Sequence, residues 1–444
     1  MKPALVFAAG FVLRAVIIAT NPIVWGGDTM IRLFDRHTLL KSYQLPLLQV
    51  LISAVSYISM NPALVQYLMA VIGAVAGVGF YLLAADFVGE KYAFPAALLF
   101  VTHPYILAIS TVPFQEILML AGLFFAFHFF HTENWIAASL CLGAACLTRY
   151  EAWAACPVLA VACWLQTRRV AHALLFGWAP VAWVVFRQGL ATPGHFVLER
   201  SISLWRFQRY AYIAWITLKF TPIPTLLLGA VGVYALWQTR SKLDRRWAVQ
   251  IAFLAIFLAS LLFSAHGVAP DPERYVTSRE AVIPMCFVLL LAAVGFSDWN
   301  WPRLRALVFA VSVVLGVAGA FYYVRVESSK PEIQVDYRIA RYLDQHVGAN
   351  ERVLIEAPPL PADQAHQYLE KARTTGGEAS YRVAERELAE IAETPPDYQR
   401  IVVYSRLAPE RLLPHAGACA DWVVKWNPPG AADPVTFLHQ PCPK

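Results

Sequence analysis

The apolar run ALVFAAGFVLRAVIIAT, residues 4–20, passes directly into NPIVWGGDTMIRLFDRH, residues 21–37. The first stretch approaches the roughly 20 residues that a helix needs to cross a bilayer, and Arg14 is its one charged residue. The second stretch carries two aspartates, two arginines and a Gly-Gly pair. These residues predict a membrane span that ends near Thr20, with an acidic segment immediately after it.

The composition of the whole chain agrees with a membrane protein. Of its 444 residues, 58% are hydrophobic and 15% are charged, and the mean hydropathy is +0.50. This composition excludes an ordinary soluble protein. The formal net charge of +6 comes largely from basic residues in short loops between apolar runs, where membrane topology accounts for them. We therefore expect no nucleic-acid partner.

Long apolar runs predict eleven membrane spans, and the run 46–60 is too short to be another. With the N-terminus inside, the basic loops near residues 168–169, 240–246 and 303–305 all fall in the cytoplasm only if 46–60 does not cross. We therefore predict an interfacial or re-entrant helix at 46–60, with the C-terminus outside. The predicted spans are 4–20, 62–86, 92–110, 113–131, 135–148, 151–166, 170–187, 212–237, 247–265, 280–297 and 304–324.

The chain divides into a membrane part, residues 1–325, and a polar C-terminal part, residues 326–444. The membrane part has a first outer loop at 21–45, and the other polar segments on that face are 188–211 and 266–279. The C-terminal part predicts a small α/β domain on the outer side. Its predicted helices lie at 332–347 and 361–393, and its predicted strands at 352–357, 400–406 and 421–426.

The seven cysteines fall into two groups. Five lie in apolar runs at no metal-ligand spacing, which indicates packing roles. Cys419 and Cys442 lie in the polar C-terminal part and would form a disulfide only if they meet in an oxidising compartment. The sequence leaves that pairing open.

Two acidic residues stand at predicted helix starts on the outer face. Asp28 follows Gly26-Gly27, which would allow a sharp turn, and Glu116 follows Pro113 in TVPFQEILML. Each has a structural interpretation, because an acidic group caps a helix or complements its dipole. Each also has a functional one, because a capped aspartate or a first-turn glutamate can still contact a substrate.

Basic and aromatic residues occupy two other outer turns. LTRYEAW contains Arg149 and Tyr150, and PERYVTSREAVIP contains Arg274, Tyr275 and Arg279. Such residues are either interfacial anchors or, since a guanidinium is a planar fork of donors, candidates to bind phosphate.

One histidine is a further candidate, and several catalytic motifs are absent from the sequence. His103, in VTHPYIL, is either a packing residue or a weak candidate for substrate contact. The sequence contains no HExxH, paired CxxC, P-loop or GxSxG, which argues against zinc-hydrolase, ATPase and serine-hydrolase activity.

The order of these motifs resembles the GT-C integral-membrane glycosyltransferases. The motifs are the aspartate after the first span, a short helix opening with QLPLLQVL, a Pro-x-x-Glu at the next outer edge, and LTRYEAW closing a hairpin. The resemblance covers residues 1–325 and is nearest to the group that uses polyprenyl-phosphate sugars, including protein O-mannosyltransferases and the lipid A aminoarabinose transferase. It implies a polytopic α-helical protein with its active site on the outer face. The Ala- and Arg-rich composition with short loops favours a bacterial inner membrane, where the active site and the C-terminal domain would face the periplasm.

The resemblance also implies roles for the candidates. Asp28 would be the catalytic base or bind the acceptor, and Glu116 would be the second catalytic acid. Arg149, with Arg274 or Arg279, would hold the lipid phosphate. The other substrate-binding candidates are Tyr150, Tyr275 and His103.

The implied partners are a polyprenyl-phosphate-linked sugar, an acceptor that is a lipid, glycan or protein, and membrane lipids. No cofactor is implied. The stretch KSYQLPLL lacks the family's His-Pro-Pro, and Asp28 lacks an adjacent second acid, so the acceptor class and any dependence on a divalent metal stay open. Two other functions stay open as well: a glycan ligase or polymerase that uses a pyrophosphate-linked carrier, and a lipid or sugar transporter.

Overall fold

The computed structural model describes residues 1–38, 45–189, 204–238, 244–263, 279–356, 362–414, 419–427, 431–440 and 442. The membrane part is helical. Its helices are α1 (Lys2–Thr20), α2 (Gly27–Phe34), α3 (Leu47–Ser56), α4 (Pro62–Val101), α5 (Pro104–Ile109), α6 (Gln115–His131), α7 (Trp135–Cys146), a 3₁₀ helix (Tyr150–Ala154), α8 (Ala155–Thr167), α9 (Val170–Leu174), α10 (Trp178–Gly189), α11 (Leu204–Phe220), α12 (Ile223–Gln238), α13 (Arg245–Phe263), α14 (Val282–Asp298) and α15 (Pro302–Ser328).

The protein is a membrane protein. Within the described residues, α1, α4 and α15 are each long and apolar enough to cross a bilayer, and α11 with α12 forms a bent fourth candidate. Shorter apolar helices surround them, and α4 packs against α1, α6, α14 and α15. The total of eleven spans stays a prediction. Helix α3 has ten residues and is therefore far shorter than a span, in line with the interfacial segment expected at 46–60.

Two breaks in the helices bear on the predicted spans. Helix α4 is interrupted at Gly89, with φ +74°, between the predicted spans 62–86 and 92–110. The predicted span 212–237 is not one straight helix, because the chain bends by 116° between α11 and α12, and whether the bent pair crosses as one span stays a prediction. The bend lies at Pro222, which lacks a backbone N–H and disfavours helical geometry at the residue before it.

The one charge in the first span is accommodated inside the bundle. Arg14 is fully buried, its Nε donates to Ser110 Oγ at 2.6 Å, and its Nη1 donates to the Gly10 carbonyl at 2.8 Å. Gly73 of α4 provides the space, since a Cβ there would lie 2.2 Å from Arg14 Nε. An intramembrane arginine needs such polar partners, and here it joins α1 to α4 and to the end of α5.

The C-terminal part contains a four-stranded sheet of order β2-β1-β3-β4. Strands β2, β1 and β3 are parallel, and β4 is antiparallel to β3. The predicted helices and the predicted strands at 352–357 and 421–426 are present, whereas β2 and β4 were not predicted. The elements are α16 (Pro331–His346), β1 (Val353–Glu356), α17 (Ala362–Glu393), α18 (Pro396–Tyr404), β2 (Leu412–Leu413), β3 (Trp422–Trp426) and β4 (Val435–His439).

The predicted strand at 400–406 is wrong, because these residues belong largely to α18. Pro396 stands at the start of that helix and Asp397 in its first turn, both favourable helix-start positions. Ile401 and Val403 are fully buried, and α18 packs against α16 and α2. This packing overrides the strand propensity of the β-branched run.

The C-terminal part contacts the segment that follows the first span. The Tyr404 hydroxyl donates to the Val24 carbonyl, and the rings of Phe34 and Tyr398 meet edge to face with centroids 6.0 Å apart. The sheet therefore lies at the end of the bundle where α1 ends and α2 begins. Within the C-terminal part, Cys419 and Cys442 form a disulfide with a Cα–Cα distance of 5.7 Å.

Candidate active site

The turn before α2 exposes Asp28. Gly26 precedes the helix with φ +91°, a conformation that L side chains rarely adopt, and it makes no side-chain cap. The capping interpretation of Asp28 is therefore wrong, because Gly26 holds the cap position and Asp28 lies one step inside the first turn. The Asp28 side chain is 44% exposed.

Arg279 joins Asp28 to the second acidic candidate. Its Nη1 lies 2.5 Å from Asp28 Oδ2, and its Nε lies 3.5 Å from Glu116 Oε1. The guanidinium also stacks over the Phe114 ring, 5.4 Å from the ring centroid. The same ring abuts Gly26, where a Cβ would lie 2.8 Å from Phe114 Cζ. Phe114 thus supports both Arg279 and the turn that presents Asp28.

Arg149 approaches Glu116 from the other side. Its Nη1 donates to Glu116 Oε1, and it also forms a two-pronged pair with Glu151, with Nε donating to Oε2 at 2.9 Å and Nη2 donating to Oε1. Such forked pairs fix a guanidinium in one orientation. Glu116 is fully buried, and within the described residues its Oε2 has no hydrogen-bond partner.

These five side chains form one series of alternating charge, Asp28–Arg279–Glu116–Arg149–Glu151, which we call the ion-pair chain. Asp28 and Glu116 lie in the first turns of α2 and α6, Arg279 lies just before α14, and Arg149 precedes the 3₁₀ helix. Helix starts favour acidic side chains through the helix dipole. Loop closure between these four helix starts brings together residues up to 251 positions apart.

Burial and neighbouring charges determine the protonation states of Asp28 and Arg279. Burial raises the pKa of Asp28, but the opposing charges of Arg279, Arg32 and Arg149 outweigh it and leave the pKa below its usual value. Burial lowers the pKa of Arg279, and the charges of Glu116 and Asp28 more than compensate. At neutral pH Asp28 is therefore a carboxylate facing a guanidinium.

Among the described residues, His103 and Tyr150 are not members of the ion-pair chain. His103 is buried with its Nε2 3.3 Å from Thr221 Oγ1, and no described contact joins it to the ion-pair chain. Tyr150 follows Arg149 in sequence, and its hydroxyl accepts from Trp183 Nε1 at 3.4 Å. Arg274 and Tyr275 lie outside the described residues.

The arrangement does not form a metal site in the described part of the chain, where no three His, Cys, Asp or Glu side chains are placed to hold an ion. A guanidinium already lies between the carboxylates of Asp28 and Glu116. Neither Glu151 nor Phe114 was among the predicted site residues, although Glu151 was considered as an interfacial anchor together with Arg149. Glu151 stands two positions after Arg149, which was a usable signal, whereas nothing in the sequence indicated that the Phe114 ring would support Arg279.

Comparison with known proteins identifies the fold. No family model and no curated protein matches the sequence. The apo structure of ArnT from Cupriavidus metallidurans matches with a TM-score of 0.55 and 12% identity, over 80% of this chain and 82% of that chain. This chain therefore shares the fold of ArnT. The GT-C resemblance predicted from the sequence motifs is confirmed at the level of the fold.

Two further matches are to structures solved with bound groups. The same ArnT bound to undecaprenyl phosphate matches with a TM-score of 0.53 and 12% identity, over 80% of this chain and 82% of that chain. The oligosaccharyltransferase of Archaeoglobus fulgidus, solved with Zn and sulfate, matches with a TM-score of 0.48 and 12% identity, over 91% of this chain and 70% of that chain.

Proposed function

We propose that this chain transfers a hexose or pentose from a polyprenyl-phosphate-linked donor to an acceptor hydroxyl at the outer membrane face, with inversion at the anomeric carbon. The ion-pair chain carries the proposal, since it joins a half-exposed carboxylate to two arginines at the starts of neighbouring helices. The likeness to ArnT, which has been solved with undecaprenyl phosphate, supports the donor class.

The donor already contains its leaving group, so the protein must supply three things. It must orient the acceptor, accept the acceptor's proton, and place positive charge where the phosphate gains negative charge. Asp28 suits the second task, because it is the exposed acid of the ion-pair chain. Arg149 and Arg279 suit the third, because a guanidinium pairs with two phosphate oxygens at once.

The proposed reaction is a single displacement. The acceptor oxygen attacks the anomeric carbon while Asp28 takes the hydroxyl proton. The bond from that carbon to the phosphate oxygen breaks, and its electron pair leaves with the lipid phosphate. Arg149 and Arg279 stabilise the charge that grows on the phosphate, so the positive charge acts mainly in the transition state.

The test is sugar transfer by the reconstituted protein from a polyprenyl-monophosphate sugar pool. A lost general base lowers the rate ~100- to 10,000-fold, so Asp28→Asn should raise the barrier by about 3 to 5 kcal/mol. Asp35→Asn is the matched control, because Asp35 ends the same helix and is not part of the ion-pair chain. Equal transfer by wild type and Asp28→Asn, at equal folded amounts, would remove Asp28 from the mechanism. Transfer from a pyrophosphate-linked donor alone would favour the ligase or polymerase alternative.

A further inference from the structure

We propose that Asp28 and the donor phosphate compete for Arg279, so that donor binding itself releases the Asp28 carboxylate for catalysis. The inference rests on the proposed function and adds an order of events to it. Without donor, Arg279 holds the base; with donor, Arg279 holds the phosphate.

The contacts of Arg279 differ in how easily they are exchanged. Glu116 is fully buried and Phe114 is 8% exposed, so these two contacts are fixed by packing. Asp28 is 44% exposed and lies in the first helical turn of α2. An arriving anion can therefore replace Asp28 without disturbing the contacts of Arg279 with Glu116 and Phe114.

A phosphate is a strong competitor for this position. Asp28 is 44% exposed, so water solvates its carboxylate when the ion pair with Arg279 opens, and exposed ion pairs contribute little net free energy. A phosphate monoester or diester offers several oxygens to one guanidinium, which strengthens the pair. The second arginine, Arg149, is held beside Glu116 and adds positive charge that favours the phosphate over the aspartate.

Glu116 acts in this scheme as a positioning residue. Its Oε1 contacts both Arg149 and Arg279, so it keeps the two guanidinium groups at a fixed separation. When Asp28 leaves, Arg279 still has Glu116 and the Phe114 ring to hold it. The arginine consequently stays in place while the more exposed partner moves.

Competition has a chemical consequence for the base. A carboxylate paired with a guanidinium is a weak proton acceptor, because the pair stabilises its charged form. Once the phosphate neutralises Arg279, Asp28 regains proton affinity at the moment when a donor is present. The base is thus active only in the donor complex, which would limit unproductive reactions.

Linkage makes the inference testable by equilibrium binding. If the phosphate weakens the hold of Arg279 on Asp28, then Asp28 must weaken phosphate binding by the same factor. Asp28→Asn should therefore bind the lipid phosphate more tightly than wild type, although it is expected to be catalytically inactive. A residue that only contacts the substrate would give the opposite result, a loss of affinity.

The experiment measures binding of a fluorescent polyprenyl monophosphate without sugar to the full chain in lipid nanodiscs. We expect Asp28→Asn to lower the Kd by about three- to tenfold. The deciding comparison is a double-mutant cycle with Arg279→Gln, in which Asp28→Asn should have no further effect. Size-exclusion profiles and melting temperatures verify that each variant is folded.

The possible outcomes distinguish failure of the competition from failure of the proposed function. Unchanged or weaker binding by Asp28→Asn, with wild type binding the probe, overturns the competition and leaves the proposed function standing. If Asp28→Asn tightens probe binding equally in the Arg279→Gln background, the effect is a general one of charge. That result also overturns the competition. Failure of wild type to bind any polyprenyl monophosphate overturns the proposed donor together with this inference.

Discussion

At the scale of single residues, the site depends on partial exposure. Asp28 and Glu116 are both first-turn acids that contact Arg279. They differ because Glu116 is fully buried between two arginines, whereas nearly half of Asp28 faces solvent. A buried, doubly paired carboxylate organises its neighbours, and a half-exposed one is able to meet a substrate.

Asp28 gives a pH dependence with a defined sign. Because its pKa is lowered in the folded state, it adds stability above its unfolded pKa and loses that contribution as the pH falls through its folded pKa. We expect wild type to melt above Asp28→Asn by a constant margin from pH ~6 to 9, and the margin to shrink below pH ~4. The free-energy difference should stay below ~1 kcal/mol, because the Asp28 side chain is nearly half exposed. Thermal melts of both proteins across that pH range measure the difference. A difference in melting temperature that grows as the pH falls would contradict the prediction.

Sequence analysis selected four residues that lie together in the fold, but it did not predict their contacts. Asp28, Glu116, Arg149 and Arg279 were selected because charge beside a membrane span needs an explanation, and the fold brings these four together. Their pairing depends on loops that close over distances no local pattern encodes. For the same reason His103, chosen on its position near a helix end, pairs instead with Thr221.

At the scale of elements, the two glycines at the start of α2 have different structural roles. Gly26 has φ +91° and lies against the Phe114 ring, whereas a Cβ on Gly27 would meet nothing within 4 Å. Only the first glycine is required for the turn. The sequence predicted that the pair would allow a sharp turn, and it gave no means to tell the two positions apart.

Alanine at each position gives a matched test of that turn. Gly26→Ala should destabilise the protein by about 1 to 3 kcal/mol, since an L residue is strained at positive φ and the new methyl group meets the ring. Gly27→Ala should be neutral or should stabilise by up to ~1 kcal/mol, because alanine favours a helix start over glycine. Melting temperatures and sugar transfer would be measured for both variants. Equal loss in the two, or loss only in Gly27→Ala, would show that the turn does not position Asp28.

The predicted strand that failed lies where distant packing outweighs local preference. The run 400–406 has the composition of a strand and forms α18, because its apolar face packs on α16 and α2. The predicted span 212–237 has the length of a crossing and is broken at Pro222. Helices with long apolar runs, such as α1 and α15, were predicted nearly to their ends because length and hydropathy suffice for them.

At the scale of the whole molecule, the C-terminal part is joined to the candidate site. Tyr404 and Val24 are 380 positions apart, and their hydrogen bond connects α18 to the segment that leads into Gly26 and Asp28. A contact of this sequence separation has no local signal. The composition predicted an α/β domain in this part of the chain, and only the fold connects it to the turn that presents the base.

The disulfide then becomes a test of orientation for the whole chain. Disulfides persist in oxidising compartments and are rare in the cytosol. Because the C-terminal part packs on the segment before Asp28, an oxidised Cys419–Cys442 pair in cells would put the ion-pair chain on the oxidising side as well.

We expect both thiols to resist alkylation in intact bacterial cells until a reductant is added, as read by mass spectrometry of the C-terminal peptides. Cys442→Ser is the control, since it should leave Cys419 open to alkylation without reductant. If both thiols of the wild-type chain are alkylated without reductant, the C-terminal part lies in the reducing compartment. The candidate site would then face the cytoplasm, and the predicted parity of the spans would be reversed.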